Sequence, residues 1–319
     1  MDPRSGAQLK PAVSVAILNY QRCDVLRRAL QAVCTQRLDV PWEVIAVDNA
    51  STDGSADMVR AEFPHVQVVE LAENMGAAGR NAGVEAARSP LVVTLDNDVL
   101  LTSPGDLARV LDFFRRSPRA AVVNFMILGP DGELSRRDWC HPRDPDAWSE
   151  QPFLTDYVLE GASACRRDAF LAAGGYWKPF FIGHEGWDLG LRLINAGWEL
   201  HYTPTVRVRH LVESSARPSS RIYYTFTRNA IWVALRNHRP GAAAVSIARD
   251  VALMAFTAAR AGHLRAYARG LRDGVTGARR ALATRQTLTA PASRRLRRIR
   301  ALKPGVVARA RRHLRERLI

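Results

Sequence analysis

The sequence predicts an α/β fold, a mainly parallel sheet flanked by helices, with a basic helical extension behind it. Three observations carry the prediction. Short apolar, β-branched runs alternate with segments whose apolar residues recur at helical spacing, the rhythm of a parallel sheet with helical crossovers. The runs end in polar residues, where open parallel sheets bind their ligands. The charge is also uneven. The 319 residues carry a formal net charge of +15, yet from Arg260 onward 18 Lys and Arg face only Asp273 and Glu316. The first 259 residues therefore sum to about −1.

Strand one is Val13–Leu18, and Asp24 caps a helix carrying Leu26, Ala29, Leu30 and Val33 on one face. Strand two, Trp42–Val47, leads through the turn Ser51-Thr52-Asp53-Gly54-Ser55 to a helix with Met58, Val59 and Phe63. Val66–Leu71 is strand three, and Ala77–Ala87 an alanine-rich helix after Gly76. Leu91–Leu95 is strand four. Ser103-Pro104 starts a helix with Leu107, Val110, Leu111 and Phe114 on one face, and Ala120–Ile127 is strand five. Glu199–Tyr202 and Val206–Val208 read as short strands. Composition divides the chain into a leader at 1–11, a body at 12–238 and an Arg-rich helical segment at 239–319 that breaks near Pro291 and Pro304.

Several classes are disfavoured. Cys23, Cys34, Cys140 and Cys165 are scattered, with no zinc spacing and no disulfide framework, which favours a reducing cytosol. Val13–Leu18 is too short for a secretory signal. No uninterrupted apolar run approaches the roughly 20 residues of a membrane-spanning helix. Gly241–Ala259 comes nearest and is interrupted by Arg249 and Asp250.

The chemistry concentrates where strand four ends, at Asp96-Asn97-Asp98. In an extended backbone Asp96 and Asp98 project to the same side, and two such carboxylates repel unless a cation lies between them. A divalent ion that also holds a diphosphate is one reading; ordinary Asp-Asn-Asp loop chemistry is the other. Strand one ends in Asn19-Tyr20 and strand two in Asp48-Asn49, so three strands deliver polar groups to one rim. Asp48 either accepts hydrogen bonds from a base or ribose or caps the turn at Ser51. Gly76-Ala77-Ala78-Gly79-Arg80-Asn81 either brings a helix start and a guanidinium to a phosphate or packs closely on the sheet.

Taken together, Val15 through Tyr20, Val47 through Ser55, Asn74 through Asn81 and Leu95 through Asp98 resemble the family 2 glycosyltransferases of the GT-A fold, in particular their rhamnosyltransferase-like branch. The resemblance covers roughly residues 12 to 238. It implies a Rossmann-like mixed sheet, with a nucleotide-sugar half at 12–128 and an acceptor half at 129–238. It also implies inverting transfer of a sugar from a UDP, dTDP or GDP donor with a Mg or Mn ion. Asp48 would then contact the nucleoside, Asp96 the ribose and metal, and Asp98 the metal and diphosphate. Asn19, Tyr20, Asn49, Arg80, Asn81 and Asn97 complete the expected donor rim.

On the acceptor side, Phe180 through Leu193 opens an apolar helix with polar groups and Gly197 closes it. The segment resembles the family's acidic motif, commonly Glu-Asp-x-Asp. Here Glu185 and Asp188 match but Gly186 stands where the second acid is usual. Glu185 is the first choice of general base, and Asp188 serves as base, helix cap or acceptor-site ligand. Trp187 is an expected substrate contact. The resemblance further offers His210 as a third metal ligand, against an ordinary structural role. Arg221, Tyr223, Tyr224, Arg228, Asn229 and Trp232 lie on a helix, where Arg228 either neutralises the diphosphate or simply packs. The loop from Ser135 to Thr155 lies near the acceptor, and its Trp139, Trp148 and His141 either stack on a sugar or form the loop's own core.

The basic segment has three readings: a surface for anionic membrane, a nucleic-acid contact, or a solvated end. The resemblance favours the membrane, a lipid-linked hydroxyl acceptor, and a cytoplasmic location peripheral to the inner face of the plasma membrane. A soluble small-molecule acceptor is the rival enzyme reading. Nucleic-acid binding is the rival class, disfavoured because the strand-end acids would repel phosphate without a metal.

Overall fold

The computed structural model describes residues 10–211 and 219–301. Its first elements are β1 (Val13–Asn19), α1 (Cys23–Cys34), β2 (Trp42–Asp48), α2 (Ser55–Glu62), β3 (Gln67–Glu70), α3 (Arg80–Ala86), β4 (Leu91–Asp96) and β5 (Val99–Leu101). The middle of the chain holds α4 (Asp106–Arg116), β6 (Ala120–Leu128), α5 (Pro145–Trp148), β7 (Phe153–Leu154), β8 (Ala162–Arg166), α6 (Arg167–Ala172), α7 (Glu185–Asn195) and β9 (Glu199–His210). Then come α8 (Ser219–Asn237), α9 (Pro240–Arg260), α10 (Leu264–Thr276), α11 (Ala278–Ala283) and α12 (Ala290–Arg300). Most of the expected leader, residues 1–9, and the break near Pro304 lie outside the described residues.

The strands form one sheet in the order β3-β2-β1-β4-β8-β6-β9-β5, with β7 beside β9. β3, β2, β1 and β4 are parallel; β8 runs against both β4 and β6, and β9 runs with β6. Side-chain alternation splits the core into two layers. Val13, Val15 and Ile17 of β1 and Val93 and Leu95 of β4 face Leu26 and Leu30 of α1, Val59 of α2 and Leu107 and Val110 of α4. Ala16 and Val92 face the other way, toward Val84 of α3, Phe170 of α6, Leu189 of α7 and Ile231 of α8.

Departures from the sequence reading have local causes. Asp24 does not cap α1: the helix follows Arg22, left-handed at φ 65°, with no side-chain cap of its own. The Cys23 N–H is instead accepted by Asp53 at 2.8 Å. Burial of Leu26, Leu30 and Val33, at roughly 1.5–3 kcal/mol each, outweighs the ~1 kcal/mol of a missing cap. The two short strands expected at Glu199–Tyr202 and Val206–Val208 are one strand, β9, whose register against β6 shifts between Phe125 and Met126. The shift absorbs Pro204, which lacks the N–H a regular ladder needs.

The segment set apart by composition packs onto the body as far as the structure describes it. Gly270 and Gly274 let α10 approach α8 so closely that added Cβ atoms would lie 2.4 Å from the Tyr224 carbonyl oxygen and 2.5 Å from Ile231 Cδ1. Leu288, Leu296 and Ile299 join the α7–α8 layer, and Arg300 pairs with Asp156. α9 differs. By length and composition it is apolar enough to cross a membrane, only 11% of that stretch is buried, and Val245, Leu253 and Phe256 are exposed. The charges interrupting it, Arg249 and Asp250, pair with each other at 2.8 Å.

Candidate active site at the strand ends

The parallel register brings Asn19 beside Asp48 and Leu18 beside Asp96, so the carboxyl ends of β1, β2 and β4 share one rim. Asn19 lies at its centre. Its Nδ2 donates to Asp48 Oδ1 at 3.3 Å, and its Oδ1 accepts from Asn97 Nδ2 at 2.7 Å. The second oxygen of Asp48 accepts from the Ser51 N–H at 2.9 Å, so Asp48 does cap the turn while remaining on the rim. Asn49 is turned to the backbone of residues 75 and 76. Tyr20 stands exposed at the edge.

Gly76 through Asn81 packs closely. A Cβ on Gly83 would lie 2.9 Å from that of Ala16, and one on Gly79 2.8 Å from Leu18. The Arg80 guanidinium is buried and pairs with Asp96. Asn81 points elsewhere: its amide bonds both ways with the Tyr176 backbone at 2.9 Å, removing it from the expected donor contacts.

The two aspartates expected to face each other take different partners, because β4 ends at Asp96 and the chain turns at once. Asp96 lies on Arg80 and against Gly161, where an added Cβ would be 2.2 Å from the carboxylate carbon. Asp98 pairs with Arg22 at 2.9 Å and lies 3.6 Å from His210 Nε2. Asp138 holds the other ring nitrogen of His210 at 2.9 Å. Asp138 and Asp98 push the His210 pKa up to about 10. Burial works against the Asp98 carboxylate, and His210 and Arg22 overcome it, holding its pKa down.

The expected three-ligand set of Asp96, Asp98 and His210 is therefore not assembled: among the described residues no group of three such ligands converges. Asp98 and His210 are the pair that would hold the ion, His210 giving up its Nε2 proton to do so. A carboxylate orienting the far nitrogen of a histidine is the usual outer support of a metal-binding imidazole. Mg or Mn held by one or two protein groups plus substrate phosphates needs no more.

Across the rim, α7 separates the two acids of its first turn. Asp188 is fully buried and accepts from Arg192 Nη2 at 2.7 Å, Arg236 Nε at 3.0 Å and Asn237 Nδ2 at 2.7 Å. Burial drives its pKa up, and the two guanidinium groups overcome that and hold it below the ordinary carboxylate range. Both of its oxygens are thereby taken by Arg192, Arg236 and Asn237. Glu185 is buried at the helix start. Arg228 lies 4.5 Å from the Trp232 ring centre and donates to the Phe180 carbonyl at 2.6 Å. Trp187 lies beneath Arg300 at 5.3 Å. His141, Trp139 and Trp148 pack with Phe153 and Tyr202, so they are the loop's own core rather than a sugar platform.

One acid escaped the sequence reading. Glu160, in the turn before β8, accepts from the Gly186 N–H at 2.7 Å and the Tyr157 hydroxyl at 3.1 Å. The only sequence signal for it was the missing acid at Gly186.

A family model described as Glycosyl transferase family 2 matches residues 14–172. An N-acetylglucosaminyl-diphospho-decaprenol L-rhamnosyltransferase of Mycobacterium tuberculosis is 29% identical over 206 residues, covering 53% of this chain and 66% of that protein, just under two thirds of its length. Among solved structures, S. aureus TarS in complex with UDP-GlcNAc matches with a TM-score of 0.58 at 16% identity, over 91% of this chain and 90% of that one. A Pyrobaculum calidifontis mannosyltransferase in complex with GDP-Man and Mn2+ matches with a TM-score of 0.55 at 21% identity, over 96% of this chain and 88% of that one. These structures share the GT-A fold with this chain.

Proposed function

Because residues 14–172 belong to glycosyl transferase family 2, we propose that this chain moves a sugar, with inversion, from a nucleotide diphosphate to a hydroxyl of a lipid-linked cell-envelope glycan. The observation that carries the donor site is the meeting of three strand ends, where Asn19 links Asp48 to Asn97 beside the Asp96–Arg80 pair. Asp48 and Asn19 present acceptor and donor groups to the nucleoside, and Asp96 lies one strand over for the ribose. Asp98 and His210 would hold a divalent ion, which neutralises charge on the departing diphosphate when bound. Asp138 keeps His210 aimed at that position.

An inverting transfer needs a base on the face opposite the leaving group. With Asp188 spent on Arg192 and Arg236, the candidates are Glu185 and the carboxylate seated on Gly186.

The decaprenol-linked substrate in the mycobacterial relative's name supports a lipid-linked acceptor, and the exposed face of α9 offers a place to meet a bilayer. The basic residues that follow it would add attraction to anionic headgroups. Incubation with UDP-, dTDP- and GDP-sugars and a polyprenyl-diphosphate-linked GlcNAc acceptor tests this reading. One donor should yield a glycosylated lipid by mass spectrometry. Transfer to soluble acceptors alone would refute the lipid assignment.

A further inference from the structure

Resting on that reading, we propose that Glu160 is the general base of the transfer, supplying from the turn before β8 the carboxylate that residue 186 lacks. The space settles which of the two residues can carry the acid. A Cβ on Gly186 would lie 2.0 Å from the Val158 carbonyl oxygen and 2.4 Å from Glu160 Oε1. No side chain fits at residue 186, and the volume beside it is filled by Glu160. The Gly186 and Tyr157 bonds both fall on Oε1, which fixes the carboxylate and leaves Oε2 as the oxygen that would take the acceptor proton.

Position supports the assignment independently. The next residue, Gly161, carries the Asp96 carboxylate against its α-carbon, so Glu160 stands between the donor rim and the start of α7. Glu160 keeps partial exposure, whereas Glu185 is buried and Asp188 wholly so. Its titratable surroundings include Arg80 from α3, Tyr157 beside it, Tyr176 before α7 and Cys140 from the 135–155 loop, with Glu185 of α7 acting on the same two tyrosines. Burial raises the Glu160 pKa and Arg80 limits the rise. A carboxylate raised toward the working pH is a better base than one at its ordinary value.

In the step, an acceptor hydroxyl oxygen forms a bond to the anomeric carbon and its proton passes to Glu160 Oε2. The bond from that carbon to the diphosphate oxygen breaks, and its electron pair leaves with the diphosphate.

The test is Glu160→Gln in the full chain. The substitution preserves size and an oxygen for the Gly186 N–H. Donor affinity is measured by calorimetry, and transfer is followed across pH. Donor affinity should be unchanged while kcat falls by ~10²–10⁴, the usual contribution of a general base, and the rise of kcat with pH on the acid side should vanish. Glu160→Asp should keep that rise at a reduced rate, which also covers a poorly folded Gln variant. A wild-type rate and pH profile in Glu160→Gln would overturn the proposal. So would loss of the acid limb in Glu185→Gln but not in Glu160→Gln. Failure of the underlying reading looks different: the wild-type chain would neither bind nor consume any nucleotide sugar.

Discussion

Asp188→Asn separates a structural acid from a catalytic one. The side chain is nearly isosteric, but it removes the carboxylate bonded to both Arg192 and Arg236 and places an amide where Asn237 already donates. Breaking one partner of a buried ion pair costs ~3–5 kcal/mol, because the remaining charges stay buried without compensation. The retained amide oxygen keeps part of the bonding, so the lower end, about 3 kcal/mol, is expected. At 2–4 °C per kcal/mol, Tm should fall by about 6–12 °C in calorimetry at neutral pH. The sign with pH is also determined. The folded-state pKa of Asp188 lies below the unfolded value, so its contribution is complete above about pH 4 and is lost as pH falls through the folded value. The gap between wild type and variant should therefore narrow on acidification. Turnover measured well below Tm should survive. An unchanged Tm together with the ~10²–10⁴ loss of a missing base would refute this assignment.

Two other outcomes are expected. Burial pulls the pKa of His141 down to about 3 and that of His184 to about 4, so both stay neutral in the folded state while the unfolded chain takes up protons below about pH 6.5. Stability should drop by about 1.5 kcal/mol for each histidine between pH ~6.5 and ~5, read as urea midpoints, and His141→Gln should show a shallower drop; an equally steep drop would contradict the burial argument. At the membrane, replacing Val245, Leu253 and Phe256 with serine should reduce flotation with anionic vesicles by about tenfold or more, since each buried apolar side chain contributes roughly 1.5–3 kcal/mol. Undiminished flotation would remove α9 from the membrane contact.

Local pattern carried most of the nucleotide half. Alternating burial in Val13–Asn19 and Leu91–Asp96 and helical spacing in α1 and α4 are short-range signals, and they placed Asn19, Asp48 and Asp96 on one rim. Long-range pairing was less visible. β8 is a small-residue strand, Ala162–Arg166, whose apolar character is too weak to announce a place between β4 and β6. The divergence of Asp96 and Asp98 depends on where β4 ends, and the seat of Glu160 on Gly186 joins residues 26 positions apart. Composition set the basic segment apart because charge dominates it, but its sparse apolar residues, Leu288, Leu296 and Ile299, pack into the body.

The central claim is a metal-assisted nucleotide-sugar site built on the ends of β1, β2 and β4. Calorimetric titration of wild type and Asp98→Ala with UDP-, dTDP- and GDP-sugars, with and without Mn2+, tests it most directly. One donor should bind wild type more tightly with Mn2+, and that enhancement should be lost in an Asp98→Ala variant that still folds. Binding of no donor, or equal metal-independent binding by both proteins, would contradict the account.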